Sequence, residues 1–211
     1  MTGTPCYPSQ LLQDAVEAIS SLPGVGSRSA LRLALHLLKQ PSENIHHFAK
    51  AIDRLAEEVQ YCSTCRMISD GPQCPVCADR SRDHSTVCVV QSVRDVMSIE
   101  ATGEYRGVYH VLGGIISPIN GVGPSDLTIK ELLSRLRTAS ESGAPVKEVI
   151  LALSGDVEGE TTAFYIYRQI SPLGCKVTTL ARGLGFGDDL EYADPLTLGR
   201  SITARQPFKS I

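Results

Sequence analysis

Two Cys-x-x-Cys pairs, Cys62/Cys65 and Cys74/Cys77, stand eight residues apart in this chain. Each pair can present two thiolates on one side of a tight turn. Two such turns complete a tetrahedral four-sulfur site for zinc, with Zn–S bonds of roughly 2.3 Å and no open position for a substrate. A metal held this way folds a module and performs no chemistry. Cys74-Pro75-Val76-Cys77 reads as a rigid turn, and Asp70-Gly71-Pro72 as a turn between the knuckles. A redox dithiol usually comes singly beside a strand–helix unit, and a disulfide pair belongs to a secreted chain. Zinc against four thiolates leaves the module net negative, so by itself it is a poor phosphate binder.

A second arrangement suits anions. Leu22-Pro23-Gly24-Val25-Gly26-Ser27-Arg28 has the pattern of a helix-hairpin-helix. Its glycines admit backbone angles closed to other residues, so amides can turn toward a ligand. The helix that starts there aims its positive end the same way. Arg28 and Arg32 share a face of that helix, and no acidic residue occurs from Pro23 to Gln40, which leaves Arg28, Arg32 and Lys39 uncompensated. Gly24, Gly26, Ser27, Arg28 and Arg32 are therefore the expected DNA contacts, gripping phosphates without reading bases. The plainer alternative is a Gly-Pro helix connection with two solvated arginines.

The third arrangement is Ser154-Gly155-Asp156-Val157-Glu158-Gly159-Glu160, which follows the apolar run 148–153. Asp156, Glu158 and Glu160 could hold Mg²⁺, which takes oxygen ligands and bridges to phosphate. They could equally be acids placed at the start of a helix after Gly159. A Walker A pattern is absent, so nothing supports an ATPase. The adjacent His46 and His47 cannot share a helix face. The glycine-rich, acidic stretch 183–192 is a loop of no assigned chemistry.

Ordinary elements must position these groups. Residues 10–60 read as three helices. Leu11, Ala15, Ile19 and Leu22 mark one face; Leu31, Ala34, Leu35 and Leu38 mark the second, over Ser27 to about Lys39. The third carries Ile45, Phe48, Ala49, Ile52, Leu55, Ala56 and Val59, with Ser42 as its expected cap. From residue 86 strands and helices alternate: strands at 86–90, 109–112, 148–153 and 176–180, helices at 93–101, 128–141 and near 160–171. That alternation implies a parallel sheet covered by helices, an α/β fold. Tyr165 and Tyr167, beside Phe164 and Ile166, are expected to pack rather than react.

The chain has 211 residues, 42% apolar, with a net charge of -3, so any DNA contact must be a local patch. No signal-peptide pattern opens it and no apolar run approaches the ~20 residues of a membrane span. A cytoplasmic protein with reduced thiols is expected. Cys6, Cys88 and Cys175 have no evident pairing, and the last two are expected in the core.

This order of parts resembles the RecR family of bacterial recombination mediators. The likeness is carried by Leu22-Pro23-Gly24-Val25-Gly26, the two cysteine pairs, Val157-Glu158-Gly159-Glu160-Thr161 and Asp189-Leu190-Glu191-Tyr192-Ala193-Asp194. It implies a helical region with a helix-hairpin-helix over 1–60, a zinc module over 61–80, a Toprim-like domain over 82–175, and a segment over 176–211 that completes the fold or makes oligomer contacts. It also implies a role: acting with RecO, and in some settings RecF, to load RecA onto single-stranded DNA coated by single-strand-binding protein. Family members are ring-like tetramers that hold DNA at the hairpin, where the usual basic positions fall on Arg28 and Arg32. Catalytic Toprim enzymes use a glutamate after the first strand with an Asp-x-Asp pair. Gln91 stands at the expected glutamate position. A neutral amide cannot act as a carboxylate base, so a scaffold is expected rather than a Mg²⁺-dependent nuclease or nucleotidyl transferase.

Overall fold

The structure is a computed structural model that describes residues 7–181, 183–185, 187, 189–205 and 207. Cys6, and Arg182, Phe186 and Asp188 of the glycine-rich loop, lie outside the described residues. The chain divides into two units, Met1–Val59 and Gln60–Ile211.

In the first unit, α1 (Gln10–Ser20) and α2 (Ser27–Leu37) pack on each other, and α3 (Ser42–Glu57) follows. The small core is Val16, Ala30 and Ala34, flanked by Leu12, Ile19 and Leu31. The buried line of α1 therefore runs through Leu12, Val16 and Ile19, not through Leu11, Ala15 and Leu22; Leu11 is 81% exposed. Leucines at adjacent positions open two stripes about 100° apart on a helix. Only one of them meets the alanines of α2, whose missing side-chain bulk lets the helices approach. Leu35 of α2 and Leu38, the residue that caps its C-terminal end, are likewise exposed.

Helix α3 has the expected apolar periodicity, yet none of its residues is buried, and Phe48, Ile52 and Leu55 stand exposed. Ser42 is the first helical residue rather than a side-chain cap. The preceding Pro41 carbonyl accepts from the amides of Asn44 and Ile45 instead, at 3.0 and 3.4 Å. A core of one valine and two alanines contributes only a few kcal/mol at ~25 cal/mol per Å².

The second unit opens with the antiparallel pair β1 (Gln60–Tyr61) and β2 (Ile68–Ser69), then the single turn α4 (Pro75–Ala78). A four-stranded parallel sheet follows in the order β4-β3-β5-β6, from β3 (Asp83–Val90), β4 (Gly107–Val111), β5 (Glu148–Ala152) and β6 (Lys176–Thr179). The α/β architecture expected from the alternating pattern is present. Strand β6, inside 176–211, supplies the fourth strand.

Central strand β3 shows why a continuous β-branched run marks such a sheet. Val87 and Val89 face one side, with Leu132 and Leu136 of α6 (Ile129–Glu141) and Ile166 and Ile170 of α7 (Val157–Ile170). Cys88 and Val90 face the other, with Val96 of α5 (Val93–Glu100). Over Val87–Val90 both faces are dry, so every position there must be apolar. Cys88 is buried and Cys175 packs against the core, as expected. Tyr165 also packs there, while Phe164 and Tyr167 are more than two-fifths exposed. Glu100 ties α5 to the sheet by accepting from Arg82 Nη1 at 2.9 Å and from the Tyr109 hydroxyl at 2.6 Å.

Candidate nucleic-acid interface and metal centre

The four cysteines come together. Their Sγ atoms all lie within 4.8 Å of one another, and each residue is at most 4% exposed. A tetrahedron of ~2.3 Å bonds places sulfurs roughly 3.8 Å apart, and Cys65 and Cys74 Sγ stand 3.5 Å apart. Local backbone makes the knuckles. The Cys62 amide donates to the Met67 carbonyl at 2.8 Å and the Arg66 amide returns to the Cys62 carbonyl at 3.0 Å. This closes a turn in which Arg66 takes a φ of 62°, the left-handed region that non-glycine residues rarely enter. Backbone amides also point at sulfur: Cys74 N to Cys62 Sγ and Cys77 N to Cys74 Sγ, both 3.4 Å.

The thiols compete for charge. A hydrogen bond from Cys77 brings Cys65 down to about 5. Burial pushes Cys74 up to about 11, and the bond to Cys65, together with burial, raises Cys77 further. A divalent cation at the centre lets all four ionise together. The donor set fits structural zinc, which the four cysteines would hold as a closed site.

The module also touches the sheet. The Val111 amide of edge strand β4 donates to the Cys65 carbonyl at 2.8 Å, and Met67 and Val76 pack on the β3–β4 face. Zinc thus orders a cap on that edge.

In the hairpin, Gly24 has a φ of +80° and needs to be glycine. Gly26 does not: at φ -80°, ψ 162° it sits in extended backbone as the cap of α2, and a Cβ there would meet nothing within 4 Å. Its value is open space rather than an unusual angle, which corrects the reading that both glycines serve the turn. No side chain caps α2 and no acid lies in its first turn. Its leading amides therefore face outward beside Arg28 and Arg32, both exposed. Such an end accepts an anion.

Aspartate at position 26 would occupy that end with its own carboxylate. Gly26→Asp should raise the stability of α2 by up to ~1 kcal/mol while cutting DNA affinity about tenfold. Melting and anisotropy titration of one preparation read both effects. Undiminished affinity would place the phosphate elsewhere.

The acidic residues behave differently from one another. Helix α7 begins at Val157, earlier than the expected start near 160, because Asp156 caps it. Asp156 Oδ1 accepts from the Gly159 amide at 2.7 Å and from Ser154 Oγ at 3.0 Å. Gly159 lies in the first turn and not in a loop, pressed so closely on Ser154 that a Cβ would collide with it. Glu158 accepts a 2.6 Å bond from Ser117 Oγ, which in turn accepts from Asn120 Nδ2 at 2.8 Å. Glu160 is exposed. Among the described residues the four cysteines are the only group of three or more His, Cys, Asp or Glu side chains close enough to share one ion. The fold does not gather Asp156, Glu158 and Glu160 around one point. Of the two readings of this stretch, the helix-start role describes Asp156.

Gln91 directly follows β3, level with the end of β5 where this stretch begins, since Val90 pairs with Ala152. Ser117, a buried residue from a distant loop, is the partner that local spacing does not reveal. Arg200 of α8 (Pro195–Thr203) reaches the same end, with Nη1 3.2 Å from the Gly155 carbonyl. The remaining histidine of interest, His110, is fully buried in β4 against Thr128, and burial lowers it to about 4.

Four family models match successive stretches of the chain. A RecR helix-hairpin-helix family model matches residues 12–56, a RecR four-cysteine zinc-finger model 59–79, a Toprim domain model 85–181 and a RecR C-terminal model 183–206. The chain is 55% identical over 202 residues to the Recombination protein RecR of Bacteroides thetaiotaomicron, covering 96% of each. It is 53% identical over 202 residues to that of Porphyromonas gingivalis, covering 96% of this chain and 95% of the relative. With the protein of that name from Flavobacterium johnsoniae it shares 50% over 203 residues and 96% of each chain. With these four matches following one another along the sequence and relatives at 50–55% identity over nearly the whole length, the chain belongs to the RecR family of recombination and repair proteins.

Proposed function

We propose that this protein is a non-enzymatic DNA clamp and mediator. It holds DNA through Gly24, Gly26, Ser27, Arg28 and Arg32, and acts with RecO, and with RecF in some settings, to load RecA onto single-stranded DNA covered by single-strand-binding protein. The observation that carries the DNA contact is the uncapped, acid-free start of α2 beside two exposed arginines. Zinc on Cys62, Cys65, Cys74 and Cys77 is structural. The division at 1–60, 61–80, 82–175 and 176–211 assigns DNA to the first part and partner docking to the Toprim end, where Asp156, Glu158 and Glu160 form an acidic surface rather than a catalytic one. Two facts support that: Gln91 replaces a carboxylate, and Asp156 is engaged as a helix cap. The unburied apolar face of α3 supports self-association into a ring-like tetramer. The proposed setting is the cytoplasm, where the DNA substrate lies; among the described residues no helix is long and apolar enough to cross a membrane.

The test is RecA filament formation on DNA precoated with single-strand-binding protein, with RecO present. Adding this protein should shorten the lag. An unchanged lag would end the mediator reading, and Mg²⁺-dependent DNA cleavage lost in Asp156→Ala would replace it with an enzyme.

A further inference from the structure

We propose that the phosphate track does not stop at the hairpin but runs the length of α2, with Lys39, just past its last turn, as the far contact. This rests on the DNA-binding reading of Arg28 and Arg32 and extends it. A depression of about 450 Å³ lies along one side of α2, lined by Arg28, Leu31, Arg32, Leu35, His36 and Lys39. These positions recur every three or four residues, so they form one stripe of the helix. Four of the six carry nitrogen donors. Among the described residues, neither arginine nor the lysine makes an ion pair or a side-chain hydrogen bond.

Length and chemistry then decide what fits. From Arg28 to Lys39 the helix and its following turn span ~16 Å at 1.5 Å per residue. A DNA strand passes a phosphate about every 3.4 Å of duplex axis, so one phosphate at the hairpin leaves most of the track unused. Leu31 and Leu35 stand between the cations as apolar wall, suited to the carbon face of a sugar. The stripe has no Phe, Tyr or Trp, and its one ring, His36, is engaged at Nε2 by the Gln40 amide at 3.3 Å; the ligand is a run of sugar-phosphate backbone of any sequence.

Duplex binding is measured against salt for the full-length, zinc-loaded protein and for Lys39→Gln, Lys39→Arg and Arg28→Gln, each checked by melting. Loss of one phosphate contact flattens the slope of log K against log salt by about 0.9, which shrinks the affinity lost between ~50 and ~200 mM salt about threefold. Lys39→Gln should show this flattening and Lys39→Arg should not. If Arg28→Gln flattens the slope but Lys39→Gln leaves it unchanged, the site ends at the hairpin and the inference is overturned while the DNA reading stands. If neither variant changes it, both fall.

Discussion

Replacing Arg28 and Arg32 together by glutamate should remove DNA binding by the isolated protein, lowering affinity on the order of 100-fold at moderate salt. Each lost charge-assisted contact is worth roughly 1 kcal/mol at an exposed site, and reversal adds repulsion of similar size. Near 1.4 kcal/mol per tenfold, the two sites together would approach ~1,000-fold unscreened, and moderate salt brings this to the order of 100-fold. The folded state should not suffer. Arg28 lies in the first turn of α2, where a carboxylate interacts favourably with the helix end, and both side chains point to solvent. Melting should therefore hold or rise while binding disappears. The measurement is a salt-titrated anisotropy assay with and without RecO. A variant that binds like the wild type, with the same salt slope, would reduce the hairpin to a helix connection and move the DNA contact to the second unit.

Loss of the metal should have the larger structural effect. Cys65→Ser, or chelation of zinc, is expected to give poorly soluble protein without a cooperative melt. Structural zinc contributes ~10–16 kcal/mol of apparent binding energy in small modules, comparable to the whole stability of a domain, ~5–15 kcal/mol. The damage should also spread, because the Cys65 carbonyl accepts from Val111 and Met67 and Val76 cover the β3–β4 face. Metal analysis should find one zinc per chain in the wild type. A soluble, zinc-free variant that melts at the wild-type temperature would contradict this account.

How much of this was legible in the chain depends on the range of the interactions involved. The cysteine pairs could be read because a knuckle closes within four residues and needs nothing distant. Strand β3 could be read because burial on two faces leaves no polar position in Val87–Val90. Helix faces were less legible. Periodicity identifies an apolar stripe but not its partner, so Leu11 of α1, Leu22 just beyond that helix and the apolar face of α3 read as core yet are not buried. The start of α7 is obscured because Gly159, expected just before the helix, lies in its first turn and is required there by contact with Ser154. Ser117, which holds Glu158, comes from the far side of a crossover, beyond any local pattern.

The strand register also constrains the order in which the molecule can assemble. Thr86 pairs with Glu148 and Val90 with Ala152, so the centre of the sheet stays open until the chain beyond β5 has been made. During synthesis β3 and β4, both strongly apolar, wait without that partner, and such non-local parallel pairing is intrinsically slow. The zinc knuckles need only neighbouring residues and precede β3 in the chain. They can close first and offer β4 a finished surface, with the Cys65 carbonyl already fixed to receive the Val111 amide. On this schedule the metal acts as an early folding template, and metal supply during translation governs the yield of native protein.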